Sequence, residues 1–160
     1  MAQNFNQAAV TALFDAVVST AAALGDFQRV NFHEPKSPPG AQLSCSFWLA
    51  SISAVKASGL AKTSGLVVIS GRIYKSALAA NAQGFDAIDP AILTAACDLM
   101  AAFSGNFTLG GTVRQVDLLG QFGTPLSAQA AYVPIEEKQY RVMELTVPVV
   151  IDDMWTQEAA

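Results

Sequence analysis

The stretch YRVMELTVPVVIDDMW, residues 140–155, decides how the chain is read. From Tyr140 to Ile151 it reads as a strand of roughly a dozen residues. Such a strand needs neighbours along its edges and cover above and below. Pro148 has no N–H to give to a ladder, which predicts an edge position or a bulge there. After the strand come Asp152, Asp153, Met154 and Trp155. The plain reading is an unstructured acidic end. Met154 and Trp155 are large apolar groups that a solvated tail would not carry, and Trp is favoured at interface hot spots, so residues 152–160 are also read as a docking tail.

Upstream, Val10, Leu13, Phe14, Val17, Val18, Ala21 and Leu24 recur at three- and four-residue spacing, predicting a helix with one buried stripe that Gly25 stops. FQRVNF (27–32) reads as a short strand. HEPKSPPGAQ (33–42) holds three prolines and a glycine and is expected to form a stiff exposed loop. Residues 43–55 and 66–74 have the composition of central strands, joined by the small, polar connection around residues 56–65. In DPAILTAACDLMAAFSG (89–105), Asp89 is placed to cap, Pro90 to occupy the first helical position, and Ile92, Leu93, Ala96, Leu99, Met100 and Phe103 to form the buried stripe up to Gly105. Three more strands are expected at about 112–119, 128–135 and 139–151, with GQFGTPLS and PIEEKQ as antiparallel turns.

The order is therefore α-β-β-β-α-β-β-β. It describes an α+β fold in one domain, residues 1–160, in which two amphipathic helices pack on one face of a largely antiparallel or mixed sheet. The other face then needs cover too, from a second subunit or from folded-over hairpins.

Of the 160 residues 52% are hydrophobic and 14% charged, against roughly 25% charged in an ordinary soluble domain, so some of the surface is expected to be covered by other protein. The net charge of −4 argues against a phosphate-seeking surface for nucleic acid or anionic membrane. Residues 29–75 carry Arg29, Lys36, Lys56, Lys62, Arg72 and Lys75 against Glu34 alone, whereas residues 142–160 carry Glu144, Asp152, Asp153 and Glu158 and no cation. The basic middle and acidic end can pair between neighbouring copies, or be a scatter of solvated charge. Residues 1–25 resemble an export signal superficially, but no cation precedes Arg29 and Asp15 interrupts the apolar stretch, so none is expected. No apolar run approaches the roughly 20 residues that span a bilayer, and a soluble chain is expected. Cys45 and Cys97 are read as buried reduced thiols.

Catalytic patterns are hard to find. The one histidine, His33, lies in the proline loop beside Glu34, where a contact role is commoner than catalysis. GLAKTSG (59–65) has neither the spacing nor the following helix of a phosphate loop, and no dinucleotide or nucleophile-elbow motif occurs. The adjacent acids Glu136–Glu137 and Asp152–Asp153 point to opposite faces of an extended chain and do not form a two-carboxylate site.

Several phrases occur together: NFHEPKSPPG (31–40), SGRIYKS (70–76), IDPAIL (88–93), AAFSGNFTLGG (101–111), VRQVDLLGQFGTPLSAQAAY (113–132) and the opening stretch. With them nearly the whole chain resembles the tail terminator proteins of long-tailed phages, in particular those infecting actinobacteria. The resemblance implies a ring, typically a hexamer, on the last ring of the tail tube. There it stops tube growth and offers a surface to the neck proteins of the head, while DNA passes through its lumen without specific binding. It implies a virion protein of the head–tail junction, assembled in the host cytoplasm, with no reaction, cofactor or membrane. Arg29, Arg72 and Arg114 on one side and Asp152 and Asp153 on the other are the candidate complementary surfaces between subunits. The exposed loops, with His33, Glu34 and Lys36, are candidates for axial contacts, and Trp155 for docking. A tail tube or neck protein, or a small-molecule binding module on the curved sheet, are the alternative readings.

Overall fold

A computed structural model describes residues 5–37, 39–40, 42–56, 63–76 and 88–155. Eight elements follow one another as expected: α1 (Gln7–Ala23), β1 (Arg29–Asn31), β2 (Ser44–Val55), β3 (Ser64–Ser76), α2 (Ile88–Gly105), β4 (Gln115–Val116), β5 (Ser127–Ile135) and β6 (Lys138–Ile151). In α1 the Asn6 side chain accepts the Ala9 N–H at 3.1 Å, closing a free donor of the first turn. Its stripe Leu13, Val17 and Ala21 is buried. Gly25, at φ 75°, takes the left-handed conformation that carries the chain away from the helix end. α2 begins at Ile88, so Asp89 and Pro90 lie inside its first turn instead of before and at its start.

The strands form one sheet in the order β1-β2-β3-β6, with β4 and β5 both along the far edge of β6. β1 runs parallel to β2 and every other pairing is antiparallel. Side chains alternate across the sheet. Cys45 and Phe47 of β2, Val67, Ile69 and Ile73 of β3, and Leu145, Val147, Val149 and Ile151 of β6 turn toward the helices and meet Leu13, Val17, Ala96, Leu99 and Phe103. At Gly71 a Cβ would lie 2.8 Å from the Phe47 ring, so only glycine lets that ring lie flat against β3. The opposite face carries a second cluster, Tyr74, Tyr140 and Val142 with Ala131, Val133 and Ile135 against it. The proline loop helps to cover this cluster: Pro39 is buried, and the Gly40 backbone hydrogen-bonds the Tyr140 phenol. That segment is therefore partly folded over the sheet, in place of the fully exposed loop expected.

Four other expectations are corrected. β6 is a central strand, and Pro148 is buried in it. The Pro148 carbonyl accepts the Asp117 N–H at 2.8 Å. A strand residue's nitrogen and carbonyl point to the same side, so the missing donor faces the gap between Thr146, where β5 pairing ends, and Val149, where β4 pairing begins. The strand expected at 112–119 shrinks to Gln115–Val116. The reason is the buried Asp117 carboxylate, which accepts the N–H groups of Gln121 (2.8 Å) and Phe122 (2.9 Å) and turns the chain outward. GQFGTPLS is accordingly no hairpin turn. β4 and β5 run in one direction along the same edge of β6, and residues 117–126 make an excursion between them whose ends meet where the Leu126 N–H donates to the Asp117 carbonyl. Finally, Cys45 is buried but Cys97 is exposed, because the inward stripe of α2 runs through Ala96 and Leu99.

Candidate functional site

The chain's closing residues fold back on their own protomer. Asp152 accepts the Ser64 hydroxyl at 2.7 Å and both of its oxygens lie 3.2 Å from Arg114 Nη1. Met154 is fully buried against Gly65. Its N–H donates to the Thr63 carbonyl and its carbonyl accepts the Asn6 N–H, each at 2.9 Å. The Trp155 N–H donates to the Thr63 hydroxyl at 3.1 Å, and that hydroxyl in turn donates to the Trp155 carbonyl. Trp155 also forms an antiparallel bridge with Phe5, the two rings 6.0 Å apart. Residues 152–155 are thus a clasp joining the two ends of the described chain to the start of β3. Residues 156–160, the rest of the expected docking tail, lie outside the described residues.

This arrangement redraws the expected charge surfaces. Arg29 sits on β1 and Arg114 beside β4, at opposite edges of the sheet, with Arg72 in the middle strand between them, so the three arginines share no side. The pairing of Arg114 with Asp152 is made within one protomer. Asp153 is exposed at φ 56°. Arg72 is also engaged at home: Nη2 donates to Glu144 Oε1 at 2.8 Å, Nη1 to the Tyr74 hydroxyl at 3.3 Å, and the guanidinium lies 5.2 Å from the Trp48 ring centre. Burial pushes the Tyr74 phenol above its ordinary range, and Arg72 opposes that shift. His33, Glu34 and Lys36 are exposed in the proline loop, where His33 Nδ1 lies 3.4 Å from the Glu34 carbonyl.

The more informative surfaces are apolar, and none was singled out from the sequence. Between α1 and β2 a groove of about 330 Å³ is lined by Phe5, Val10, Phe14, Phe32, Leu49 and Ile52, with Phe32 63% and Leu49 44% exposed. Between α2 and the β5–β6 hairpin a second groove, about 350 Å³, is lined by Ile92, Leu93, Ala130, Arg141 and Met143. Leu93, expected in the buried stripe, is 56% exposed there, and Tyr132 beside it is 59% exposed under the Arg141 guanidinium. The excursion 117–126 borders a third hollow, about 450 Å³, between Phe107 and a nearly naked Leu119.

No protein-family profile and no curated protein matches this chain. Its functional reading therefore rests on its own residues. Among the described residues no three of His, Cys, Asp and Glu gather as metal ligands, and no helix is long and apolar enough to cross a membrane. One carboxyl pair escaped the sequence reading. The Asp26 carboxyl is raised above the ordinary range, by desolvation first and then by the nearby Asp98 carboxyl. Residues in a loop and in a helix 72 positions on carry no local signal of such a meeting.

Proposed function

We propose that the chain is the subunit of a closed ring of like copies, a hexamer as in the tail terminators it resembles, that caps the head-proximal end of a phage tail tube. In this role it stops tube polymerisation and presents a surface to the neck proteins. It is a structural protein of the virion, assembled in the host cytoplasm, with no catalytic step and no cofactor. One observation carries the reading. The two ends of the sheet present different exposed apolar patches, Phe32 and Leu49 beside β1–β2, Leu93 and Tyr132 beside β5. Large apolar side chains gathered at grooves mark protein contacts. A cyclic ring needs two unlike patches on opposite sides of each subunit, one meeting the other head to tail. The net charge of −4 suits a lumen through which DNA passes without adhering.

The test is light scattering with negative-stain imaging of the purified chain, alone and mixed with tail tubes. Closed rings, or single caps that halt tube growth, are expected. Filaments of the protein alone would make it a tube protein, and a monomer indifferent to tubes would remove the ring reading.

A further inference from the structure

Resting on the ring reading, we propose that neighbouring copies join their sheets edge to edge, residues 51–55 of β2 in one copy pairing antiparallel with residues 127–131 of β5 in the next. β1 pairs only with Ser44, Cys45 and Ser46, so among the described residues nothing pairs with the outer edge of β2 beyond them, and nothing with the outer edge of β5. Open edges are templates for pairing, and proteins blunt them with charges, proline or bulges. Here WLASISAV (48–55) and SAQAAYVPI (127–135) hold no charge at all. Their guards are the register shift between Leu49 and Ser51 and the proline at 134. β2 and β5 run in opposite directions, so both guards lie toward the same end of the sheet. The other half of each edge is left unguarded.

Strand direction and charge then select the mode of joining. β2, β3, β6 and β5 alternate in direction, an even count. A copy related by rotation about a ring axis therefore continues the alternation, with β2 falling antiparallel beside β5. Arg29, which pairs with Ser44, lies at the same end as the Glu136–Glu137 turn. Opposite charges thus meet at that end of the seam. Both lateral grooves open on the helix side of the sheet, so the join would also merge them and cover Leu49 and Tyr132.

Ser53 and Gln129 are exposed, project from the same face of their strands and would face one another across this seam. The experiment oxidises S53C and Q129C variants, each with C97S, alone and mixed, and reads covalent dimers on non-reducing gels beside light scattering and tube-bound imaging. Dimers in the mixture and not in either variant alone are expected, with a closing ladder when both cysteines share a chain. Dimers of one variant alone would overturn the join in favour of like-edge pairing. Rings without any cross-link would overturn the join and leave the ring standing, whereas a monomer both free and with tubes would remove the ring itself. S53K, at an exposed site, is the independent variant. It should abolish rings while leaving the monomer folded, and rings that survive it would overturn the join.

Discussion

Met154 offers the sharpest test of the clasp. It is fully buried in the main core, and truncating a buried methionine to alanine costs about 2–5 kcal/mol. Taking about 3 kcal/mol, and about 2–4 °C per kcal/mol for a chain of this size, Met154→Ala lowers Tm by roughly 6–12 °C. Gly65 makes the experiment specific. A Cβ built there would lie 3.0 Å from Met154 Cγ and 3.1 Å from Cε. In the parent chain Gly65→Ala therefore overpacks, costing about 1–3 kcal/mol against a gain of about 0.5–1 kcal/mol from stiffening the strand. With Met154 truncated, the crowding vanishes and the new methyl group takes up part of the void, so the same substitution becomes neutral or stabilising. The coupling between the two sites should be about 1–2 kcal/mol, measured by urea denaturation of the four chains at one protein concentration. Effects that add to within about 0.5 kcal/mol would refute the packing of Met154 on Gly65, and with it the clasp.

The β5–β6 turn places Glu136 and Glu137 at φ 45° and 66°, a conformation that Asn-Gly adopts with less strain. E136N/E137G should raise stability by about 1–2 kcal/mol, read as a thermal shift. A thiol reagent should add one label to the native chain, at Cys97, and a second only in denaturant, because Cys45 is buried and its thiol is pushed well above the ordinary range; mass spectrometry counts the labels. Asp26 has a raised carboxyl in the folded state, so its contribution is favourable below the unfolded aspartate range and is lost as pH rises through the folded value. D26N should therefore be slightly more stable than the parent at neutral pH, by no more than about 0.5 kcal/mol at so exposed a site, and the two should converge at pH 3 in denaturant titrations.

The element order was legible because each helix stripe and each long strand is written locally, in periods of 3.6 and 2. Leu13, Val17 and Ala21, or Leu145, Val147 and Val149, are buried for reasons their neighbours in sequence display. What the pattern does not encode is who pairs with whom. Pro148 signals a missing donor, but only the meeting of Asp117 with its carbonyl shows that β4 and β5 exchange partners there. The acids at 152–153 advertise charge, yet whether they face Arg114 of the same protomer or a neighbour's cation depends on the placing of β4, a two-residue strand too short to leave a period. Leu93 and Tyr132 read as core and strand residues for the same reason: exposure is decided by how α2 lies against β5, and no repeat along either element records it.

The position of β3 in the sheet also sets the order in which the molecule can be completed. Its first neighbour, β2, precedes it across a short connection, but its second is the last strand: the register joins Gly65 to Ile151, 86 positions on, and Thr63 hydrogen-bonds Trp155, 92 positions on. Local hairpins close quickly and distant pairings slowly, because the chain between the partners must lose its freedom first. During synthesis the apolar edge of β3, with Val67, Ile69 and Ile73, therefore stays open until the final strand has been made, and no earlier segment can finish the core in its place.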